Sequence, residues 1–230
     1  MVAVALFDLD GTLLHTPRAI AHAMAESAQA VTGKTVPHGE ALALVGLPLQ
    51  VITETLAQAV DNPGAAERIR DAYMERFETV IMPQAPSLVC DGVLESILAL
   101  RGSDVAIGVV TSKNRRSAEA ILDAAGLLEH FDLVVGADDI AHPKPSPDGI
   151  LFALACLGGT DRASAFYVGD TAHDMVAAKA AGTHAIGVTY GVGTSKELLD
   201  AGAELALVSF IDACICGGIA IGRSLDLTAY

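Results

Sequence analysis

The sequence predicts an α/β protein: a doubly wound, mostly parallel sheet with an all-α helical cap inserted after its first strand. Three observations lead there. Short apolar runs rich in Val and Ile recur at Val2–Phe7, Val105–Val110, Leu133–Val135, Ala165–Val168 and Ala185–Val188. Helical patterns lie between the later runs, at Val93–Leu100, Arg115–Ala125, Pro147–Leu157 and Ala172–Ala181. Strands that are apolar throughout and alternate with helices fit a parallel sheet covered on both faces. Lastly, the stretch from about Pro17 to Pro83 breaks the alternation with helical texture and offers no strand.

Taken in order, Val2–Phe7 is continuously apolar and runs straight into Asp8-Leu9-Asp10-Gly11-Thr12. In the insertion, Ile20, Met24, Ala28 and Val31 share one face of a first helix, and Ile69, Tyr73, Phe77 and Val80 one face of a later one. Thr32-Gly33, Gly46-Leu47-Pro48 and Asn62-Pro63-Gly64 read as turns between short helices. Gly126 and Gly182 stand where helix C-caps are expected. The expected division is a core domain from residues 1–16 and 84–230 and a helical cap domain from 17–83.

Composition narrows the partners. The 230 residues include 14 basic and 28 acidic side chains, a formal charge of −14, and the pI is near 4.7. Such a charge repels phosphate backbones and anionic lipid, so neither nucleic acid nor a membrane surface is an expected partner. Hydrophobic residues are 52 % and charged ones 18 %, too apolar for disorder and enough for a sizeable core. A membrane span needs about 20 consecutive apolar residues. The most apolar tract, Leu205–Gly222, is interrupted by Asp212 and loosened by Gly217 and Gly218. Met1–Phe7 meets Asp8 without a basic leader, so it does not read as a signal peptide. A soluble, cytoplasmic protein is expected. Cys90, Cys156, Cys214 and Cys216 form no Cys-x-x-Cys pair and no metal spacing with His, and read as small buried hydrophobes in a reducing compartment.

Ligands of an open parallel sheet bind at the carboxyl ends of its strands. Asp8 and Asp10 follow the first run, Thr111-Ser112-Lys113-Asn114 the second, His142-Pro143-Lys144-Pro145 the third and a loop, and Gly169-Asp170 the fourth, with Asp174 about a helical turn on. Four carboxylates at one edge need a cation to be tolerated together. The donors are all oxygen, which selects a hard ion such as Mg²⁺. A hard cation, a lysine and a hydroxyl suit a phosphoryl group. No Gly-x-x-x-x-Gly-Lys-Ser/Thr loop occurs, so a P-loop NTPase is excluded.

Phe7-Asp8-Leu9-Asp10-Gly11-Thr12-Leu13, Thr111-Ser112, Lys144-Pro145 and Gly169-Asp170-Thr171-Ala172-His173-Asp174 resemble, in order, the four motifs of the haloacid dehalogenase-like (HAD) hydrolase superfamily. The resemblance spans nearly the whole chain. It implies a Rossmann-like core with an inserted helical cap, and the tract Tyr167–Gly191 is similar to the phosphoglycolate-phosphatase-like branch. It further implies that Asp8 is the nucleophile, that Asp10 protonates the leaving group and then deprotonates water, and that Thr111 and Lys144 bind the phosphoryl group. Asp170 would hold Mg²⁺ with the Asp8 carboxylate and the Asp10 backbone carbonyl, and Asp174 would complete or orient that shell.

Ser112 is a further candidate for phosphate binding, though Ser112 and Asn114 equally suit N-cap chemistry for the following helix. Asp138 and Asp139 read as a solvated loop, and His173 as a surface or supporting residue; His142 is uncommitted and Arg18 reads as a solvent arginine. His15 stands where the superfamily usually carries an acid, near the hinge into the cap. The expected function is a Mg²⁺-dependent phosphatase of a small soluble, phosphoglycolate-like phosphomonoester, acting through an aspartyl-phosphate. The alternatives are a sugar-phosphate mutase of the same superfamily and a non-catalytic, receiver-like phosphate-binding module. The sequence leaves monomer and dimer open.

Overall fold

The computed structural model describes residues 2–159 and 161–225; residue 1 and residues 226–230, the outer ends of the expected core segments, lie outside them. A six-stranded sheet is built from β1 (Ala3–Phe7), β2 (Val105–Val110), β3 (Leu133–Val135), β4 (Ala165–Gly169), β5 (His184–Val188) and β6 (Leu205–Leu207), in the order β3-β2-β1-β4-β5-β6. All five pairings among these strands are parallel, in keeping with the expected doubly wound sheet. β1 lies in the middle, with Phe7 opposite Val109 on one side and Val168 on the other.

Both faces are buried, which explains the unbroken apolar runs. Ala3, Ala5 and Phe7 join a core that includes Phe166 and Phe210, while Val4 and Leu6 join a second core with Ile150, Tyr167 and Met175. The first face is covered by α5 (Val93–Gly102), α6 (Arg115–Ala124) and α10 (Phe210–Ala220), the second by α7 (Asp148–Cys156), α8 (Ala172–Ala181) and α9 (Ser195–Asp200). The apolar tract Leu205–Gly222 is therefore two elements, β6 and α10, separated where Ser209 caps the helix by accepting from the Asp212 N–H. Gly217 lets α10 approach the sheet: a Cβ there would lie 2.6 Å from the Phe166 ring. Cys90 and Cys214 are buried as expected, whereas Cys156 is exposed and Cys216 half-buried against the core. No helix among the described residues is long and apolar enough to cross a membrane.

Between β1 and α5 stand α1 (Pro17–Thr32), α2 (His38–Leu42), α3 (Leu49–Ala59) and α4 (Ala66–Arg76). Pro17 opens α1, where its missing N–H is harmless, and Gly33 closes it at φ 74°. The later helix departs from expectation. After Arg76 the backbone makes a π-helical turn over Phe77–Ile81, followed by a 3₁₀ turn over Met82–Leu88. One extra residue per turn rotates the apolar face, so Ile81 is 1 % exposed and Val80, expected on that face, is 50 % exposed. Ile81→Ala is accordingly expected to cost about 2–5 kcal/mol in chemical denaturation, and Val80→Ala to stay within about 0.5 kcal/mol. Equal costs would mean that the face continues without the π turn.

Candidate active site

The turn after β1 sets the first two carboxylates. Asp8 continues the strand, its N–H donating to the Val168 carbonyl at 2.9 Å, and the Leu13 and Leu14 N–H groups fold back onto the Leu9 carbonyl. Gly11, at φ 91°, lies so close to Asp170 that a Cβ would sit 2.2 Å from a carboxylate oxygen. Asp170 directly follows β4, fully buried. It accepts from the Val192 N–H at 2.8 Å and from the Thr12 hydroxyl at 3.4 Å. Asp174 occupies the first turn of α8, where Thr171 donates to it from both its N–H (2.9 Å) and its hydroxyl (2.6 Å). That is a capping box, in which the helix start fixes the acid.

Lys144 connects these elements. Its ammonium donates to Asp8 Oδ1 at 2.8 Å, to Asp174 Oδ1 at 2.5 Å and to the Tyr167 hydroxyl at 3.0 Å, using all three of its protons. Tyr167 in turn donates to the Val110 carbonyl. Carboxylate oxygens of Asp8, Asp170 and Asp174 all lie within 4.8 Å of one another. Asp174 has four donors within reach, Lys144, the Tyr167 hydroxyl and the N–H and hydroxyl of Thr171, whereas among the described residues the Asp8 carboxylate receives only the Lys144 ammonium.

Asp10 faces elsewhere. Its carboxylate accepts from the Thr16 hydroxyl at 2.6 Å and pairs with the Lys113 ammonium at 3.1 Å, and that ammonium lies 4.8 Å from the Phe77 ring centre. Thr111 is buried at the end of β2, and its hydroxyl accepts from the Lys113 N–H. The Ser112 hydroxyl is buried without a hydrogen-bond partner, so it does not cap α6; Asn114, at the N-cap position, makes no side-chain cap either. Lys113, Thr16 and Tyr167 are the site residues that the sequence reading passed over. Lys113 had a signal, since it follows a strand end as Lys144 does; Thr16 and Tyr167 had none.

The other candidates fall outside the cluster. Asp138 and Asp139 are not a free loop: Asp138 accepts from the Arg115 N–H at 2.7 Å and Asp139 from the Gly136 N–H at 2.9 Å, which ties their 3₁₀ turn to the start of α6. His142 pairs with Asp148 at 2.9 Å, Arg18 is exposed, and His173 is half-buried. His15 packs edge-on against Tyr190, and its N–H donates to the carbonyl of Leu88, where the insertion returns to the core.

Charge follows geometry. Burial, reinforced by Asp174 and Asp10 and opposed by Lys144, pushes the Asp8 carboxyl up to about 7. Burial, then the Asp174 and Asp8 charges, pushes Asp170 well above the usual carboxylate range. Burial would raise Asp174 too, but Lys144 and Thr171 outweigh it and hold it below that range. Burial disfavours the Lys144 ammonium, yet Asp174 and Asp8 keep it charged above its ordinary value. Four carboxylates thus face two ammoniums, an excess matching one divalent cation, and the donors are all oxygen. That set suits a hard ion such as Mg²⁺.

A model of the haloacid dehalogenase-like hydrolases matches residues 5–188, and the chain belongs to that family. Among its relatives is a protein of Dickeya dadantii named "Probable phosphatase IndB", 40 % identical over 91 % of both chains. Phosphoglycolate phosphatase 1 of Pseudomonas aeruginosa is 28 % identical over 92 % of this chain and 78 % of its own. The crystal structure of a predicted phosphatase from Clostridium acetobutylicum superposes with a TM-score of 0.77 at 26 % identity, covering 93 % of this chain and 97 % of the other.

Proposed function

We propose that the chain is a Mg²⁺-dependent phosphomonoesterase that works through an aspartyl-phosphate on Asp8, with residues 17–83 as a cap domain over a core of 1–16 and 84–230. The carrying observation is that two carboxylates two residues apart have different partners: Asp8 belongs to the Lys144–Asp170–Asp174 cluster, and Asp10 to Thr16 and Lys113. One carboxylate cannot be nucleophile and proton donor at once, and this arrangement divides the roles.

Asp8 and Asp170, with the Asp10 carbonyl, would hold the cation, and Asp174 would fix Lys144 and orient that shell. Bound there, the ion would neutralise phosphoryl oxygens and keep Asp8 ionised. Asp8 attacks phosphorus while Asp10 gives its proton to the departing alkoxide. Thr111, Ser112 and Lys144 hydrogen-bond the phosphoryl oxygens through the displacement; the partnerless Ser112 hydroxyl suits that use. Water then attacks the aspartyl-phosphate, Asp10 takes its proton, and phosphate leaves with Asp8 regenerated. The substrate is a small phosphorylated metabolite met in the cytoplasm.

Release of phosphate from p-nitrophenyl phosphate is expected to require Mg²⁺; activity undiminished in excess EDTA overturns the reading. The metal should also compete with protons. Because the metal-free fold holds the Asp8 proton up to about pH 7, and an unfolded Asp only to about 4, the folded state binds more protons between them. Metal-free stability from this group therefore falls as pH rises through that window. Mg²⁺ must displace those protons at low pH, so its Tm gain by calorimetry should be larger at pH 8 than at pH 5.5. A gain independent of pH would separate Asp8 from the cation.

A further inference from the structure

Above the carboxylates the site opens into a cleft with about 50 Å³ of room for water-sized occupants. Its floor is Asp8, Asp10, Thr111 and Ser112, with Asn114 and Ser117 from the start of α6 also lining it; its upper wall comes from the helical insertion. That wall includes Ile20, Met24, Leu47, Ile52, Tyr73 and Phe77. None of these is charged, and the loop Val45-Gly46-Leu47-Pro48 between α2 and α3 adds only apolar side chains. The cations of the insertion are engaged or turned outward. Lys34 is bound to the Val60 carbonyl and Asp61, Arg76 pairs with Glu26, and Arg18 is exposed. Lys113 is the one cation lining the cleft among the described residues, and it already pairs with Asp10.

Resting on the phosphomonoesterase reading, we infer that the leaving alcohol is apolar, and that an aromatic ring on a short linker to the ester oxygen fits best. A carboxylate, a second phosphate or a row of sugar hydroxyls placed against this wall would be desolvated with no partner on it beyond the Tyr73 hydroxyl. An apolar alcohol meets matching surface instead. Tyr73 and Phe77, with ring centres 6.1 Å apart and tilted by 36°, offer the edges and faces that a third ring packs against. Met24 can adapt to its outline. The scale also agrees. Lys113 touches Asp10 at 3.1 Å and lies 4.8 Å from the Phe77 ring centre, so a ring one or two bonds from an oxygen at Asp10 reaches Phe77. The inference departs from a phosphoglycolate-like substrate, whose carboxylate would find no free cation here.

The test is kcat/KM with Mg²⁺ for 2-phenylethyl phosphate, 2-phosphoglycolate and glycerol 3-phosphate. The phenylethyl ester is expected to exceed both others by about 100-fold. Leu47→Arg, in a half-buried loop, should raise phosphoglycolate turnover about tenfold and lower that of the phenylethyl ester. Should that variant fail to fold, Phe77→Leu keeps an apolar wall without the ring; it should weaken the phenylethyl ester about tenfold and spare butyl phosphate. If phosphoglycolate or glycerol phosphate equals the phenylethyl ester, or if only p-nitrophenyl phosphate is cleaved, the inference fails and the phosphatase reading stands. If no ester is cleaved, p-nitrophenyl phosphate included, the phosphatase reading itself fails.

Discussion

Asp8→Asn is expected to abolish phosphate release, with kcat down by about 10⁴-fold or more, as when a covalent nucleophile is removed elsewhere. The substitution is isosteric, so a lost reaction can be told from a lost fold. An amide oxygen can still accept from Lys144, which also keeps Asp174 and Tyr167. One negative charge leaves a buried cluster in which burial and neighbouring acids already disfavour ionisation, so the metal-free Tm should hold or rise. Phosphate release by malachite green assay beside a thermal melt gives both readings. A folded variant with activity within tenfold of the parent would remove Asp8 from the chemistry.

Asp10→Asn should fail differently. Asparagine can neither protonate an alkoxide nor accept a proton from water, so both halves of the cycle suffer, by about 10²–10⁴-fold each. With p-nitrophenyl phosphate the first half needs little proton donation, because p-nitrophenolate is a good leaving group. The second half still needs a base. Rapid mixing should therefore give a burst of p-nitrophenol approaching one equivalent, then near silence, with phosphate retained on the protein. A uniform slowing without a burst would place Asp10 outside the hydrolytic step. Thr16 and Lys113 hold this carboxylate at 2.6 and 3.1 Å, so the defect should not arise from a collapsed site.

How far the sequence could be read depended on the range of the force involved. A buried parallel strand imposes apolarity on every residue, and β1, β2 and β4 were legible for that reason. Their carboxyl-end residues followed from sheet geometry, and the four ordered motifs assembled them into one site. What escaped was set by neighbours remote along the chain. Val80 and Ile81 are both apolar, and only a π-helical turn decides which is buried. β6 is three partly exposed residues at a sheet edge, too short to carry a pattern. Lys113 and Lys144 look alike as sequence, yet one guards Asp10 and the other binds Asp8 and Asp174. The cleft wall was not legible: Gly46-Leu47-Pro48 reads only as a turn and Tyr73 and Phe77 as one face of a helix, and only the folded chain turns them towards Asp10.

The central place of β1 has a consequence for the protein's birth. Asp8 leaves the ribosome well before its partner Lys144, 136 positions further on, and Asp170 follows later still. At about 5–20 residues per second, the acidic strand waits on the order of ten seconds or more for its ammonium. During that interval a nascent chain displays a sticky, incomplete half-sheet and no reactive centre. On the proposed reading, catalysis therefore waits for the residues around Asp170, and a chain released before them would be expected to be inert towards phosphate esters.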